Sequence, residues 1–261
     1  MPLSLKVTKA YPADVAVTHW RGVVIDDAAE FELFLQGPVK ARVTDAEFDA
    51  DFSADLQALA TTEMATAALE SLLTAVVPPL DWEIGEAMAE CLLSDEHGAC
   101  WPWNENRDRK TPRASLPGAD IVGFLGEGDE TIFLFGEVKT SSHAANPPGV
   151  MNGRGGLAHQ IDSLATAKDV QLVLLKWLAA RCTVGEMKAK YQMAVKRYVA
   201  SAGADFAVVG VLLRDTPPHL DDLRTRGEKT AAQPAQPRIR LDAWYTPRSI
   251  ADWVDLTLAE A

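Results

Sequence analysis

Two short apolar segments with charges at their ends constrain this chain more than any other feature. In "LPGADIVGFLGEGDETIFLFGEVKTSS", residues 116–142, the runs ADIVGFLG and TIFLFGEV are hydrophobic and rich in β-branched and aromatic residues, the pattern of buried strands. The acidic, glycine-containing EGDE between them suits the turn of an antiparallel hairpin. Asp120 heads the first run, and Glu137 and Lys139 sit at the tail of the second. Pairing of the two strands brings Asp120 near Glu137, and the two-residue period of a strand puts Lys139 on the face of Glu137. Two carboxylates and an ammonium then converge. Carboxylate oxygens are natural ligands of Mg2+, and of Mn2+ in its place; a lysine beside the metal positions an attacking water and offsets charge developing on a phosphate. This is equipment for hydrolysing a phosphodiester bond.

The sequence supplies its own control, because an acidic residue two positions before a lysine occurs three times. Asp108 with Lys110 sits in a polar loop, and Glu186 with Lys188 sits in a helical pattern, where both are ordinary solvated charges. Glu137 with Lys139 alone ends a hydrophobic strand, and the competing reading is a strand terminus emerging into water.

Around the hairpin the pattern is that of an α/β chain. Residues 13–25 read as a strand or strand pair, and 27–35 and 45–76 as helices, the second ended by Pro78 and Pro79. In "DWEIGEAMAECLLSDEHG", Ile84, Ala87, Met88, Cys91 and Leu92 recur at helical spacing, with Asp81 placed to cap the start and Gly98 to stop the chain. This amphipathic helix lies on the hairpin. After a Pro- and Gly-rich loop at 141–156, residues 157–182 and 185–202 read as helices and 205–213 as a buried strand. A second loop at 216–237 leads to an alternating strand at 238–245, expected nearer an edge. The core order is α, β, β, α, β, β, which divides the chain into an acidic N-terminal α+β section, residues 1–80, and a main domain, 81–261.

Composition narrows the classes of function. No run approaches the length that spans a bilayer, and the first thirty residues lack a basic start followed by an unbroken apolar core, so the expected compartment is the cytoplasm, with no membrane partner. Cys91, Cys100 and Cys182 form no CxxC pair and read as reduced thiols. Cys91, His97 and Cys100 lack an evident fourth zinc ligand, and Cys91 falls on the apolar helix face. The formal net charge of −12 argues against a general grip on nucleic acid, but the acidity is local: residues 1–100 carry 5 basic and 18 acidic side chains, residues 101–200 carry 13 and 10. Arg107, Arg109, Lys110 and Arg113 are therefore expected to be free to approach phosphate.

The segments GEAMAECLL, PGADIVGF and FGEVKTS resemble the successive motifs of the PD-(D/E)xK nuclease superfamily, over roughly residues 81–215. The resemblance implies a restriction-endonuclease-like core, a mixed central β-sheet flanked by helices, here behind a mainly helical N-terminal extension. It implies that Asp120 and Glu137 bind metal, that Lys139 acts on water or the scissile phosphate, that Glu86 completes the metal shell, and that Gln160 is the helix glutamine near the site. The superfamily's proline usually adjoins the aspartate; here Pro117 stands three residues ahead. Glu86 matches the motif but lies nearly opposite the apolar helix face, whereas Glu83 lies closer to its edge, so the helical wheel leaves both open. The same motifs behind a helical N-terminal section are similar to nuclease subunits of bacterial antiphage systems of the Hachiman type, which work with a helicase. The expected function is metal-dependent cleavage of DNA in antiphage defence, beside a helicase partner; this chain has no GxxxxGK[ST] loop of its own. The alternatives are a catalytically silent domain of the same fold serving as an interaction subunit, and an unrelated α/β enzyme using the glycines of NGRGG to cradle phosphate.

Overall fold

Six strands share one sheet in the computed structural model, which describes residues 5–15, 18–75, 77–111, 118–232 and 237–259. β1 (Val7–Val15) and β2 (Thr18–Ile25) pair antiparallel, as do β3 (Ile121–Leu125) and β4 (Ile132–Ser141), the expected hairpin. With β5 (Ala207–Arg214) and β6 (Arg238–Tyr245) the order is β1-β2-β6-β5-β4-β3. β2, β6, β5 and β4 run parallel, so the sheet is mixed, with an antiparallel strand at each edge.

The helices follow from local chemistry. Asp27 caps α1 (Ala28–Phe34) by accepting hydrogen bonds from the backbone N–H groups of Ala29 and Glu30. Pro38, which has no N–H to give, sits in a widened turn at Leu35–Val39 leading to α2 (Lys40–Val43). The single helix expected over 45–76 is two, α3 (Ala46–Leu59) and α4 (Glu63–Leu73), because the Thr62 hydroxyl caps a new start at Ala65 N, 3.2 Å. α5 (Asp81–His97) ends at left-handed Gly98 as expected, but Asp81 is its first residue rather than its cap; the Glu83 carboxylate takes the Leu80 N–H at 2.6 Å. The stretch 157–182 likewise divides, into α6 (Leu157–Thr166) and α7 (Lys168–Arg181). Fully buried Gln171 donates to the carbonyls of Leu164 and Ala165, which the end of α6 leaves free. α8 (Gly185–Ala200), α9 (Arg224–Ala231) and α10 (Trp253–Leu258) complete the set.

Both faces of the sheet are covered. On one, Ile84, Met88 and Leu92 of α5 pack with Phe31, Phe34 and Trp253 against Leu134, Val138, Val211 and Leu213. On the other, Leu157, Ile161, Leu178 and Ala194 of α6, α7 and α8 pack against Phe133, Phe135, Val208 and Leu212. Two features differ from the sequence reading. β6 is interior, not near an edge: its alternation arises because Arg240 and Asp242 pair with each other at 2.7 Å, and Arg21 of β2 bonds Asp242 at 3.0 Å, under a helix end rather than in water. The sheet also crosses the boundary expected at residue 80, since β2 is hydrogen-bonded to β6.

Arg214 ends β5 with no solvent exposure, bonded to Asp222 at 2.5 Å, to Asn146 Oδ1 at 3.0 Å and to the carbonyls of His143 and Ala145. It ties the loop after β4 to the loop after β5. Arg214→Leu strands the buried Asp222 carboxylate and is expected to cost about 3–5 kcal/mol in chemical denaturation; an unchanged unfolding midpoint would contradict this role.

Candidate functional site

β3 stops one residue short of the site, and the stop itself sets the geometry. Ile121 pairs with Gly136, so the next position of the register sets Asp120 opposite Glu137. There Asp120 replaces the missing backbone partner: its Oδ2 accepts the Val138 N–H at 2.8 Å. Glu137, 5% exposed, accepts a hydrogen bond from the Lys139 ammonium at 2.5 Å. The three charges that bound the two apolar runs thus come together at one strand end.

Helix α5 brings Glu86 to the same place. Gly85 lets the helix press onto β4, since a Cβ there would lie 2.6 Å from the Thr140 methyl group. Glu86, Asp120 and Lys139 line a cavity of about 310 Å³ with Glu83, Glu90, Glu105, Arg42, Arg109 and Trp82. Of the two helix glutamates left open by the sequence, Glu83 is held by the Leu80 N–H and by Arg109. Glu86 has no hydrogen-bond or ion-pair partner among the described residues and senses the Asp120 charge.

The cavity is crowded with negative charge. Glu90 is neutralised by Arg42, whose Nη2 also donates to the Trp103 carbonyl at 3.0 Å. Burial and then the charges of Asp120, Glu105 and Glu90 push Glu86 up to about 9. Burial, Glu90 and Asp120 push Glu105 up to about 8. Burial and Asp120 push Glu137 up to about 7 against the pull of Lys139, and Asp120 is also raised, by burial. Burial lowers the Lys139 ammonium, but the bond to Glu137 and the charges of Glu137, Asp120 and Glu86 outweigh it and hold it above the ordinary lysine value. Arg42, Arg109 and Lys139 are each paired with one acid and leave Glu86, Glu105 and Asp120 without an ion-pair partner among the described residues. The donors facing the cavity are hard carboxylate oxygens, the set that suits Mg2+ or Mn2+. The shell is not closed: among the described residues, the group of three ligand atoms lying within 4.8 Å of one another is elsewhere, at Glu96, His97 and Asp242. Glu137 is instead turned onto Lys139, and a cation shared by Asp120, Glu137 and Glu86 requires side-chain rotation.

Other expected site residues fall differently. Gln160 donates to the Arg154 carbonyl at 3.4 Å, and among the described residues no hydrogen bond joins it to Asp120, Glu137 or Lys139. Arg107 is not free: it pairs with Asp45 and is sandwiched between the Phe48 ring, 4.4 Å, and the Trp103 ring, 4.9 Å. Arg109 pairs with Glu83 and lies 5.4 Å over Trp82. The expectation that these arginines are free to approach phosphate is therefore corrected for both: Arg107 is held by Asp45 and Phe48 of the acidic N-terminal section, and Arg109 by Glu83 and Trp82. Lys110 is exposed on a groove of about 690 Å³ that shares Glu83, Asn106 and Arg109 with the cavity. Arg113 and Pro117 lie outside the described residues. Glu105, Glu90 and Arg42 were missed by the sequence reading; Glu105 sits in a short helical turn, Glu105–Asp108, where no periodicity marks one side chain as inward.

No protein-family model and no curated protein matches this sequence.

Raised carboxylates make stability depend on pH in a defined direction. A carboxyl whose folded pKa exceeds its unfolded value stabilises fully below the unfolded value, and that contribution is lost as pH rises through the folded one. For Glu86 the window runs from about 4.5 to about 9. Glu86→Gln is therefore expected to flatten the fall in melting temperature across this range and to melt higher than the parent at its alkaline end. Parallel melting curves for the two proteins across the window would contradict the buried, uncompensated position of Glu86.

Proposed function

We propose that this protein is a divalent-metal-dependent nuclease of the PD-(D/E)xK kind, hydrolysing DNA phosphodiester bonds. The observation that carries the reading is the meeting of Asp120, anchored on Val138 N–H, with Glu137 and Lys139 at one strand end beside an acidic cavity. The core order of helix, Asp strand, Glu-x-Lys strand, helix and parallel strand supports a restriction-endonuclease-like core.

Asp120, Glu137 and Glu86 are the residues that would hold Mg2+ or Mn2+, which supplies Lewis-acid polarisation of the phosphate and a more acidic water. Lys139 is placed to orient the attacking water once its bond to Glu137 is released, and to offset the negative charge that grows on the phosphoryl oxygens as the water oxygen bonds to phosphorus and the ester P–O bond breaks. Lys110, exposed on the groove beside the cavity, supplies positive charge for the approaching backbone, and Arg109 would do so once released from Glu83. With so few free cations, a partner such as a helicase of an antiphage system would provide most of the grip on DNA. The hairpin α3–α4 suits docking to such a partner. Neither helix has a buried residue, Phe48, Phe52, Leu59, Met64 and Leu72 are exposed, and no Lys or Arg occurs from 43 to 106. The same exposed hairpin favours, as a second reading, a silent domain of this fold that serves as an interaction subunit.

Cleavage of labelled linear, circular and single-stranded DNA, with Mg2+, Mn2+ or chelator, separates the two. Lys139→Ala is expected to keep metal binding and lose about 10²–10³-fold in rate, while Asp120→Asn and Glu137→Gln lose metal and activity together. A parent protein that binds no divalent ion and cuts nothing, alone or with its partner, would leave the interaction-subunit reading.

A further inference from the structure

The far end of α5 carries a second constellation that the proposed chemistry does not use. Glu96 and His97 close the helix over β6, and Asp242, 1% exposed, rises from that strand to meet them. His97 Nε2 lies 3.5 Å from Glu96 Oε2 and 4.0 Å from Asp242 Oδ2, and the three ligand atoms fall within 4.8 Å of one another. The Nε2 atom is buried although the imidazole is 25% exposed, and it makes no hydrogen bond among the described residues. Facing two carboxylate oxygens, such a nitrogen either carries a proton toward them or, unprotonated, offers its lone pair to a cation held between the three groups. Carboxylate–imidazole separations of this size approach those around a tetrahedral zinc ion, where ligand bonds of about 2.0–2.2 Å leave neighbouring donors roughly 3.3 Å apart.

The surroundings hold the carboxylates as outer-shell groups hold metal ligands. Arg21 bonds both acids, through Nε to Asp242 Oδ1 at 3.0 Å and through Nη2 to Glu96, and Arg240 Nε bonds Asp242 Oδ2 at 2.7 Å. Each carboxylate oxygen keeps a second lone pair, so an arginine on one side leaves the other side available. The arginines also balance the two acids, so an added dication leaves an excess of positive charge. Glu96, His97 and Arg240 line a cavity of about 890 Å³ with an apolar floor that includes Leu93, Leu134 and Val209. A fourth ligand reaching the ion from that cavity would be anionic or water, offsetting the excess.

We propose that Glu96, His97 and Asp242 form a binding site for a zinc-type divalent ion, with one position open to the cavity for an anionic ligand. Imidazole with two carboxylates selects Zn2+ or Co2+ over Mg2+, which prefers oxygen donors alone. The site is about 16 Å from Glu86 along the helix, at 1.5 Å per residue, and stands independently of the nuclease reading.

The test is titration of the full-length, chelator-treated protein with Co2+, followed by visible absorption, with displacement by Zn2+. One equivalent of Co2+ with the intense absorption of a four-coordinate site is expected. It should persist in Asp120→Asn and Glu137→Gln, and weaken more than about tenfold in His97→Gln. Glu96→Gln, a change at a partly exposed position, is the second variant should His97→Gln not fold, and is expected to weaken binding likewise. Absence of Co2+ binding by the parent, binding unaffected by both His97→Gln and Glu96→Gln, or loss of the signal in Asp120→Asn would overturn the proposal.

Discussion

Negative charge buried without enough positive charge beside it is the constraint on which the architecture around β4 turns. Glu86, Glu105, Asp120 and Glu137 face or underlie one small cavity, and among the described residues only Glu137 of the four has a cationic partner, Lys139. Water cannot screen such a group as it does at a surface, so each carboxylate either keeps its proton or waits for a cation. The fold maintains this unfavourable arrangement by rigid means. The early end of β3 fixes Asp120 on the Val138 N–H, and Gly85 brings α5 against Thr140, so that Glu86 cannot withdraw. A protein selected for stability alone would place apolar groups there, and local strain of this sort concentrates at functional sites.

The sequence made the centre of this arrangement legible because it rests on the most local of patterns. A hairpin with a short turn has few registers, and Asp120, Glu137 and Lys139 are placed by strand alternation alone. The amphipathic stripe of Ile84, Met88 and Leu92 is equally local and located α5 correctly. Glu86 was harder, because its inward role depends on where the cavity opens beside the helix and not on the stripe. The fate of Arg107 and Arg109 was not legible at all: their partners Asp45 and Glu83 are 62 and 26 residues away, and only tertiary packing joins them. The same holds for β6, which a single-strand pattern placed near an edge and which the distant N-terminal β2 makes interior. The break between α6 and α7 carries no proline or glycine; Gln171 stabilises it from within the helix that follows.

The N-terminal section does two unlike things. Its strands complete the sheet and its first helices cover one face, with Phe31 and Phe34 in the same core as Trp253. Its next two helices bury nothing, show apolar side chains to solvent and carry only acidic charge. Asp45 and Phe48 nonetheless hold Arg107 at the rim of the groove leading to the acidic cavity. This links the exposed hairpin mechanically to the approach to the site, so a partner seated on α3 would also act on the groove.

The central claim is that the strand end shared by Asp120, Glu137 and Lys139 is a divalent-cation site. A crystal of the protein grown with Mn2+, with anomalous diffraction recorded at the manganese edge, tests it most directly. The account predicts an anomalous peak within coordination distance of Asp120 and Glu137, about 2.1–2.4 Å, with Lys139 turned away from Glu137. A fully ordered map with no peak there, or with manganese bound only at Glu96, His97 and Asp242, would contradict it.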